Sequence, residues 1–279
     1  MLSKRTTSTY KIYYMRSKIK WVIQRTLASA KTLDELTSAV AKSGAACELI
    51  DVMPFSVELN YESRDSLMPI IYGSNTFILL AYKHKYLSAG VFFDDSKFLM
   101  SEYIKHWNSK VLNNDAIIIK AGELDNLEYG NDHLFFVRPN EDTKTLSGSL
   151  IKFQDLKIMV NGVLNESPSL TNDTELVLSS PKTIDKEWRN FIVQGKVISS
   201  CRYSLYGELS VDEHDVPDCM IRFVEALCEI FTPHDVFVMD VCYRDGDYFV
   251  IECNCFNGSG VYNNDLFKIV SAVNAYIER

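Results

Sequence analysis

Val236-Phe237-Val238-Met239-Asp240-Val241-Cys242 and Tyr248-Phe249-Val250-Ile251-Glu252-Cys253-Asn254 are two apolar segments, each broken by polar side chains, with Arg244-Asp245-Gly246-Asp247 between them. Val, Phe, Ile and Tyr at this density favour strands, and Asp-Gly is a hairpin-turn signal. Side chains alternate along a strand, so Glu252 and Asn254 share one face while Ile251, Cys253 and Cys255 take the other. Asp240 stands among Val236, Val238 and Cys242 on an otherwise apolar face. Carboxylates and an amide set into apolar strands cost free energy unless they are partnered. Hard oxygen ligands converging on one face suit magnesium, above all when it also contacts nucleotide phosphates. The competing reading is an edge hairpin whose acids face water, the usual condition of charged strand residues. The matched aspartate, the asparagine two positions after the glutamate and the following Phe256-Asn257-Gly258-Ser259-Gly260 favour the metal reading.

Strand parity then constrains the turn. For Asp240 and Glu252 to face each other, the connecting loop must hold an odd number of residues. Asp245-Gly246-Asp247 as a three-residue loop satisfies this, whereas a two-residue Asp-Gly turn would put Asp240 on the wrong face.

Upstream, the first hundred residues alternate strand and helix signals. Trp21 to Gln24 is a short apolar run, Thr32-Leu33-Asp34-Glu35 has capping-box spacing before a helix to Lys42, and Gly44 stops that helix. Cys47 to Val52 reads as the next strand, and strand–helix–strand with short connections implies a parallel sheet. Ile70-Ile71-Tyr72 runs into Gly73-Ser74-Asn75, a strand end that either holds a ligand or merely turns. From about Ser101 the pattern reads as longer strands and hairpins. Leu134 to Pro139 is a strand followed by a polar loop to Gly148, and Leu176-Val177-Leu178 is another. Trp188 to Ile192 with Gly195 to Ile198 forms a hairpin. Pro217 opens a helix with apolar Ile221, Val224, Leu227, Cys228 and Phe231, and a last helix spans Asp265 to Ile277.

Bulk properties bound the function. The 279 residues suffice for two lobes, and 47% apolar against 24% charged residues is an ordinary globular balance. The tightest apolar cluster, Phe77 to Tyr82, is far too short to span a bilayer, so no membrane partner is expected. A net charge of −8 disfavours a nucleic-acid partner bound by bulk electrostatics, although residues 1–33 carry bases and no acids. Residues 1–19 read as a basic, disordered tail without the apolar core of a secretory signal. Seven cysteines without a repeated C-x-x-C pair read as reduced, buried residues in a cytoplasmic protein, with no zinc site.

Aspartate on one strand, about a dozen residues, then Glu-x-Asn on the next resembles the metal-binding signature of the ATP-grasp superfamily. That resemblance implies that Asp240 and Asn254 each ligate one magnesium ion and that Glu252 bridges both. Cys255 departs from it, standing where the family usually has proline. Phe136-Val137-Arg138-Pro139, with Lys144 and Gly148 after it, is similar to the family's phosphate-gripping strand and glycine loop. Arginine in place of the common lysine makes the chain look most like a viral and bacterial clade marked by two arginines and a lysine. Glu187-Trp188-Arg189 with Gly195 to Ile198 is similar to that clade's Glu-x-Arg hairpin, which makes Arg189 the second arginine and Lys144 the lysine. The resemblance also implies that backbone groups of Val177, Leu178, Ser179 and Ser180 meet the adenine edge, with Glu187 among the ATP-binding residues. Arginine offers a rigid fork for phosphate oxygens, and lysine a mobile point charge.

The expected fold is α/β with α+β lobes: a strand–helix lobe over residues 20–100 before an ATP-grasp region over residues 101–279. The implied function is an ATP- and Mg2+-dependent carboxylate–amine ligase that forms an acyl phosphate, with Arg138 and Arg189 catalytic and with small-molecule or peptide carboxylates and amines as substrates. Two alternatives stand beside it: a nucleotide-binding protein of the same fold without catalysis, and a nucleic-acid binder using the basic N-terminus. The oligomeric state is not legible.

Overall fold

The computed structural model describes residues 17–26, 29–53, 56–142, 148–166 and 170–279. Of the tail expected over residues 1–19, residues 1–16 lie outside the described residues, as does Lys144, and Ile19 already belongs to a buried strand.

The first sheet is parallel. Its middle strand β1 (Ile19–Gln24) is buried at all six positions, as a strand covered on both faces must be. Helix α1 (Ala30–Lys42) follows, then β2 (Ala46–Ile50) and β3 (Met68–Tyr72), in the order β2-β1-β3. Ser29, not Thr32, caps α1: its hydroxyl accepts from the Thr32 N–H at 3.1 Å, so the helix begins one turn earlier than the Thr32–Glu35 spacing suggests. Gly44, at φ +80°, ends it as expected. Helix α2 (Asn75–Tyr82) is capped by the Ser74 hydroxyl. Gly73 is required by close packing, because a Cβ there would lie 2.7 Å from Gln24 and Phe77.

The stretch from Ser101, expected to form strands, is first a helix. In α3 (Met100–Trp107) Met100, Tyr103 and Trp107 recur at helical spacing and are buried. Strands β4 (Ile117–Lys120), β5 (Leu134–Pro139) and β6 (Ser149–Lys152) come next, then helix α4 (Phe153–Glu166), which was not expected, and β7 (Glu175–Ser179). These four strands form an antiparallel sheet in the order β4-β7-β5-β6.

The third sheet is also antiparallel. It contains β8 (Lys186–Val193), β9 (Lys196–Leu205) and β10 (Glu208–Asp212), and, after helix α5 (Asp218–Ile230), β11 (Val236–Arg244) and β12 (Asp247–Cys255), in the order β10-β9-β8-β11-β12. Helix α6 (Leu266–Ile277) is the last element. One face of this sheet buries Trp188, Ile192, Phe237, Met239 and Val241 with residues of α3 and α5. Alternate residues Phe191, Val193, Val236 and Val238 pack on the other face with Trp21 and Ile23 of β1 and with α6. Asp240 is the next residue of that second alternation, so the acidic position lies where apolar packing against the first sheet gives out. Cys47 and Cys219 are exposed, against the expectation that all seven cysteines are buried; every one is a free thiol.

Candidate active site

Arg244 pairs with Asp247, so the β11–β12 turn has two residues, Asp245 at φ 52° and Gly246 at φ 93°, the all-positive pattern of a tight hairpin. The three-residue loop expected from parity is not formed. Asp240 nevertheless pairs with Glu252, because Val241 pairs with Val250 and the register shifts by one. Ile251 is the extra residue. A β-bulge re-aims side chains locally, and here it brings Glu252 opposite the aspartate. Parity required one additional residue, and it sits in the strand.

The opposite neighbour of Asp240 is Arg189 on β8. The guanidinium grips the carboxylate with both arms, Nε to Oδ1 at 2.9 Å and Nη2 to Oδ2 at 2.6 Å, while Nη1 donates to the Gly260 carbonyl at 3.1 Å. Asp240 is only 2% exposed. Burial is the larger influence on its carboxyl and lifts it above the ordinary value, with Arg189 pulling the other way and Glu252 adding to the rise. For Arg189 burial works against the charge, but Asp240 outweighs it and holds the guanidinium above its ordinary value.

Arg138 reaches the same cluster from another sheet. It lies near the end of β5, and its Nη1 donates to Glu252 Oε2 at 2.6 Å while Nε donates to the Pro139 carbonyl at 3.2 Å. Asn254 joins the two acids: its Nδ2 lies 3.3 Å from Asp240 Oδ2 and 3.1 Å from Glu252 Oε1. One amide thus touches both carboxylates. Side-chain orientation at an amide is a choice between two flips, so the same residue can present its oxygen to a cation.

Among the described residues no group of three or more His, Cys, Asp or Glu side chains is arranged to hold a metal ion. The cluster consists instead of two carboxylates and an amide. That set fits magnesium, which is satisfied by one or two carboxylates when phosphates and waters complete its octahedron. Two acids held together in a mostly buried place also require nearby positive charge, which Arg189 and Arg138 supply.

The other expected residues lie around this centre. Glu187 is linked to it through Tyr203, whose hydroxyl donates to Glu187 Oε2 at 2.8 Å, and the Arg189 guanidinium lies over the Tyr203 ring at 5.7 Å. Val177 pairs with Arg138 and with Ile118, and Leu178 with Val137 and Ile117, so both residues sit inside the ladder of their sheet. The Ser179 hydroxyl donates to Asn113 Oδ1 at 3.1 Å, and the Ser180 N–H donates to Asp115 Oδ2 at 3.2 Å. These bonds of Leu178, Ser179 and Ser180 do not reach the carboxylate cluster.

Several contributors were not singled out by sequence. Asn257 follows β12, and its buried amide donates to the Ile71 carbonyl at 2.6 Å and the Gly90 carbonyl at 2.9 Å while accepting from the Phe92 N–H at 2.7 Å. It ties the end of the acid-bearing strand to the first sheet. Asp142 Oδ2 accepts from the Cys255 N–H at 3.1 Å on the other side. Asn257 stands three positions after Asn254, but its three partners lie more than 160 positions away and no local pattern could point to them.

A family model described as an ATP-grasp domain, family 3 of the clade of two arginines and a lysine, matches residues 82–273. No curated protein sequence matches the chain. Among solved structures, the RimK domain protein ATP-grasp from Sphaerobacter thermophilus DSM 20745 superposes with a TM-score of 0.57 at 10% identity, covering 93% of this chain and 100% of that one. The D-cycloserine synthetase DcsG gives 0.58 at 12% identity over 93% and 99% of the two chains. The ATP-grasp ligase PsnB, in complex with minimal precursor, Mg and ADP, gives 0.55 at 11% identity over 94% and 99%. At these identities the likeness establishes the fold, an ATP-grasp fold spanning nearly the whole chain.

Proposed function

This chain belongs to family 3 of the ATP-grasp clade of two arginines and a lysine, and from that premise we propose that it is an ADP-forming ligase joining a carboxylate to an amine through an acyl phosphate. The observation that carries the proposal is the meeting of Asp240, Glu252 and Asn254 with two arginine forks delivered by two different sheets. A binder of uncharged ligands would have no use for such a concentration of partly buried charge.

In this reading Asp240, Glu252 and Asn254 hold magnesium, whose contribution is to neutralise the nucleotide phosphates. Arg138 and Arg189 orient the terminal phosphoryl group and stabilise charge on its oxygens during transfer. A substrate carboxylate oxygen attacks the γ-phosphorus, the bond to ADP breaks, and the amine nitrogen then attacks the acyl carbon, releases phosphate and loses a proton. Water must be kept from the acyl phosphate, a task for the sheets on either side of the cluster. Lys144 and the backbone of residues 177–180 complete the nucleotide site in this proposal, residues 20–100 form the lobe preceding the catalytic region of residues 101–279, and the enzyme works in the cytoplasm. No helix among the described residues is long and apolar enough to cross a membrane. Precursor-bound PsnB structures are among the neighbours, which supports including peptides with small molecules as candidate substrates.

The test is to incubate the protein with ATP, magnesium and a panel of amino acids, peptides and other carboxylates. ADP and phosphate are expected, and hydroxylamine should trap a hydroxamate in place of the natural amine. AMP and pyrophosphate would indicate adenylation instead. ATP binding without ADP or AMP on any carboxylate would favour a non-catalytic nucleotide-binding protein.

A further inference from the structure

Three groups surround the Arg189 guanidinium besides Asp240: the Gly260 carbonyl, the ring of Tyr203 and the ring of Tyr262. The two rings are stacked, with centroids 4.8 Å apart and planes 4° from parallel, and the guanidinium carbon lies 5.1 Å from the Tyr262 centroid. Tyr203 is itself held through its hydroxyl by Glu187. The turn carrying Gly260 and Tyr262 is anchored as well. The Tyr72 hydroxyl donates to the Ser259 carbonyl, and the Ser259 hydroxyl donates to the Cys255 carbonyl at 2.8 Å. A Cβ on Gly260 would stand 3.4 Å from Arg189 Nη1, in ordinary contact with the guanidinium.

The backbone at Tyr262 is left-handed, as it also is at the exposed Tyr206 (φ 50°). The φ of Tyr262 is 47°, in the left-handed region that suits glycine and asparagine and penalises a large side chain. Gly260 and Asn263 stand close by in sequence, so residues suited to that conformation occur in the same turn, yet the position is held by an aromatic ring.

We propose that Tyr262, stacked on Tyr203, is the positioning residue for Arg189, fixing the guanidinium in the orientation from which it meets the nucleotide phosphates; the proposal rests on the phosphate role of Arg189 in the ligase reading. A free arginine loses side-chain freedom when it engages a ligand, and a guanidinium already clamped between a carboxylate, a carbonyl and two rings has lost it beforehand. Aromatic faces attract guanidinium groups directly, and the flat surface also limits rotation of the fork.

The experiment is a double-mutant cycle read by calorimetric binding of the non-hydrolysable analogue AMPPNP with magnesium, with melting temperature measured alongside. Tyr262→Asn accepts the left-handed backbone but removes the ring, and should weaken binding by about tenfold, within the span of a cation–π contact. Tyr262→Gly, which also accepts positive φ, is the second variant should the first fold poorly. Tyr262→Phe keeps the ring and should stay within about twofold of wild type. In an Arg189→Gln background, which removes the cation and is itself weakened, Tyr262→Asn should cost nothing further. If Arg189→Gln binds like wild type, the phosphate role of Arg189 fails. If Arg189→Gln is weakened but Tyr262→Asn binds normally, or costs the same in both backgrounds, the positioning role is overturned while the phosphate role stands.

Discussion

Arg189 and Asp240 face each other on adjacent strands of one sheet, whereas Arg138 and Glu252 belong to different sheets and meet between them. The first pair makes two hydrogen bonds and the second one; the two arginines are about equally buried, 13% and 11% exposed, but Asp240 is 3% exposed and Glu252 26%. Both pairs serve the same cluster, but a buried charge cannot change partners as freely as one that water can reach. Arg189 therefore also holds the carboxylates in place, in addition to the phosphate role proposed for it. Arg138 is one link between the four-stranded and five-stranded sheets, beside the Cys255 N–H bond to Asp142, and its bond can open without leaving an acid stranded.

Breaking each pair in turn measures that difference. Arg189→Met leaves Asp240 buried without a countercharge, and should lower unfolding free energy by roughly 3–5 kcal/mol, measured by urea denaturation. Asn257→Ala comes next. It strips partners from two carbonyls and one N–H in the anchor between β12 and the first sheet, for a loss of roughly 2–4 kcal/mol. Arg138→Met should cost about 1 kcal/mol or less, because a partly exposed carboxylate is rescued by solvent, yet it should weaken nucleotide binding. Equal stability losses for Arg138→Met and Arg189→Met would erase the distinction between the two pairs. A loss at Arg138 exceeding that at Asn257 would move the main anchor of β12 from the first sheet to the four-stranded one.

The same contrast explains what could be read from sequence. Asp240, Glu252 and Asn254 were legible because strand alternation is a local rule, and their convergence follows from hairpin geometry. Parity demanded an odd residue but could not say where it went: a turn and a bulge satisfy the same arithmetic, and the Asp245-Gly246 pair prefers the two-residue turn. The strand containing Arg138 was legible from its apolar run, but its pairing with Glu252 depends on how two sheets pack, which no periodicity encodes. Ser29 is masked as the cap of α1 because Thr32 and Glu35 offer a capping-box pattern one turn later. In α3 the signal was present, with Met100, Tyr103 and Trp107 at helical spacing, and was hidden by β-favouring aromatics. The Tyr203–Tyr262 stack joins a residue of β9 to one in the turn before α6, and nothing local marks it.

Asp240, Glu252 and Asn254, flanked by two arginines, are proposed to form a magnesium–nucleotide site. Calorimetric titration of ATP into wild type and Glu252→Gln, with and without magnesium, tests it most directly. Wild type should bind ATP tightly only when magnesium is present, and Glu252→Gln should lose at least about tenfold in that magnesium-dependent affinity, as disturbance of a metal site typically does, while keeping its melting temperature. Magnesium-dependent affinity unchanged in Glu252→Gln, or ATP binding in wild type indifferent to magnesium, would contradict the account.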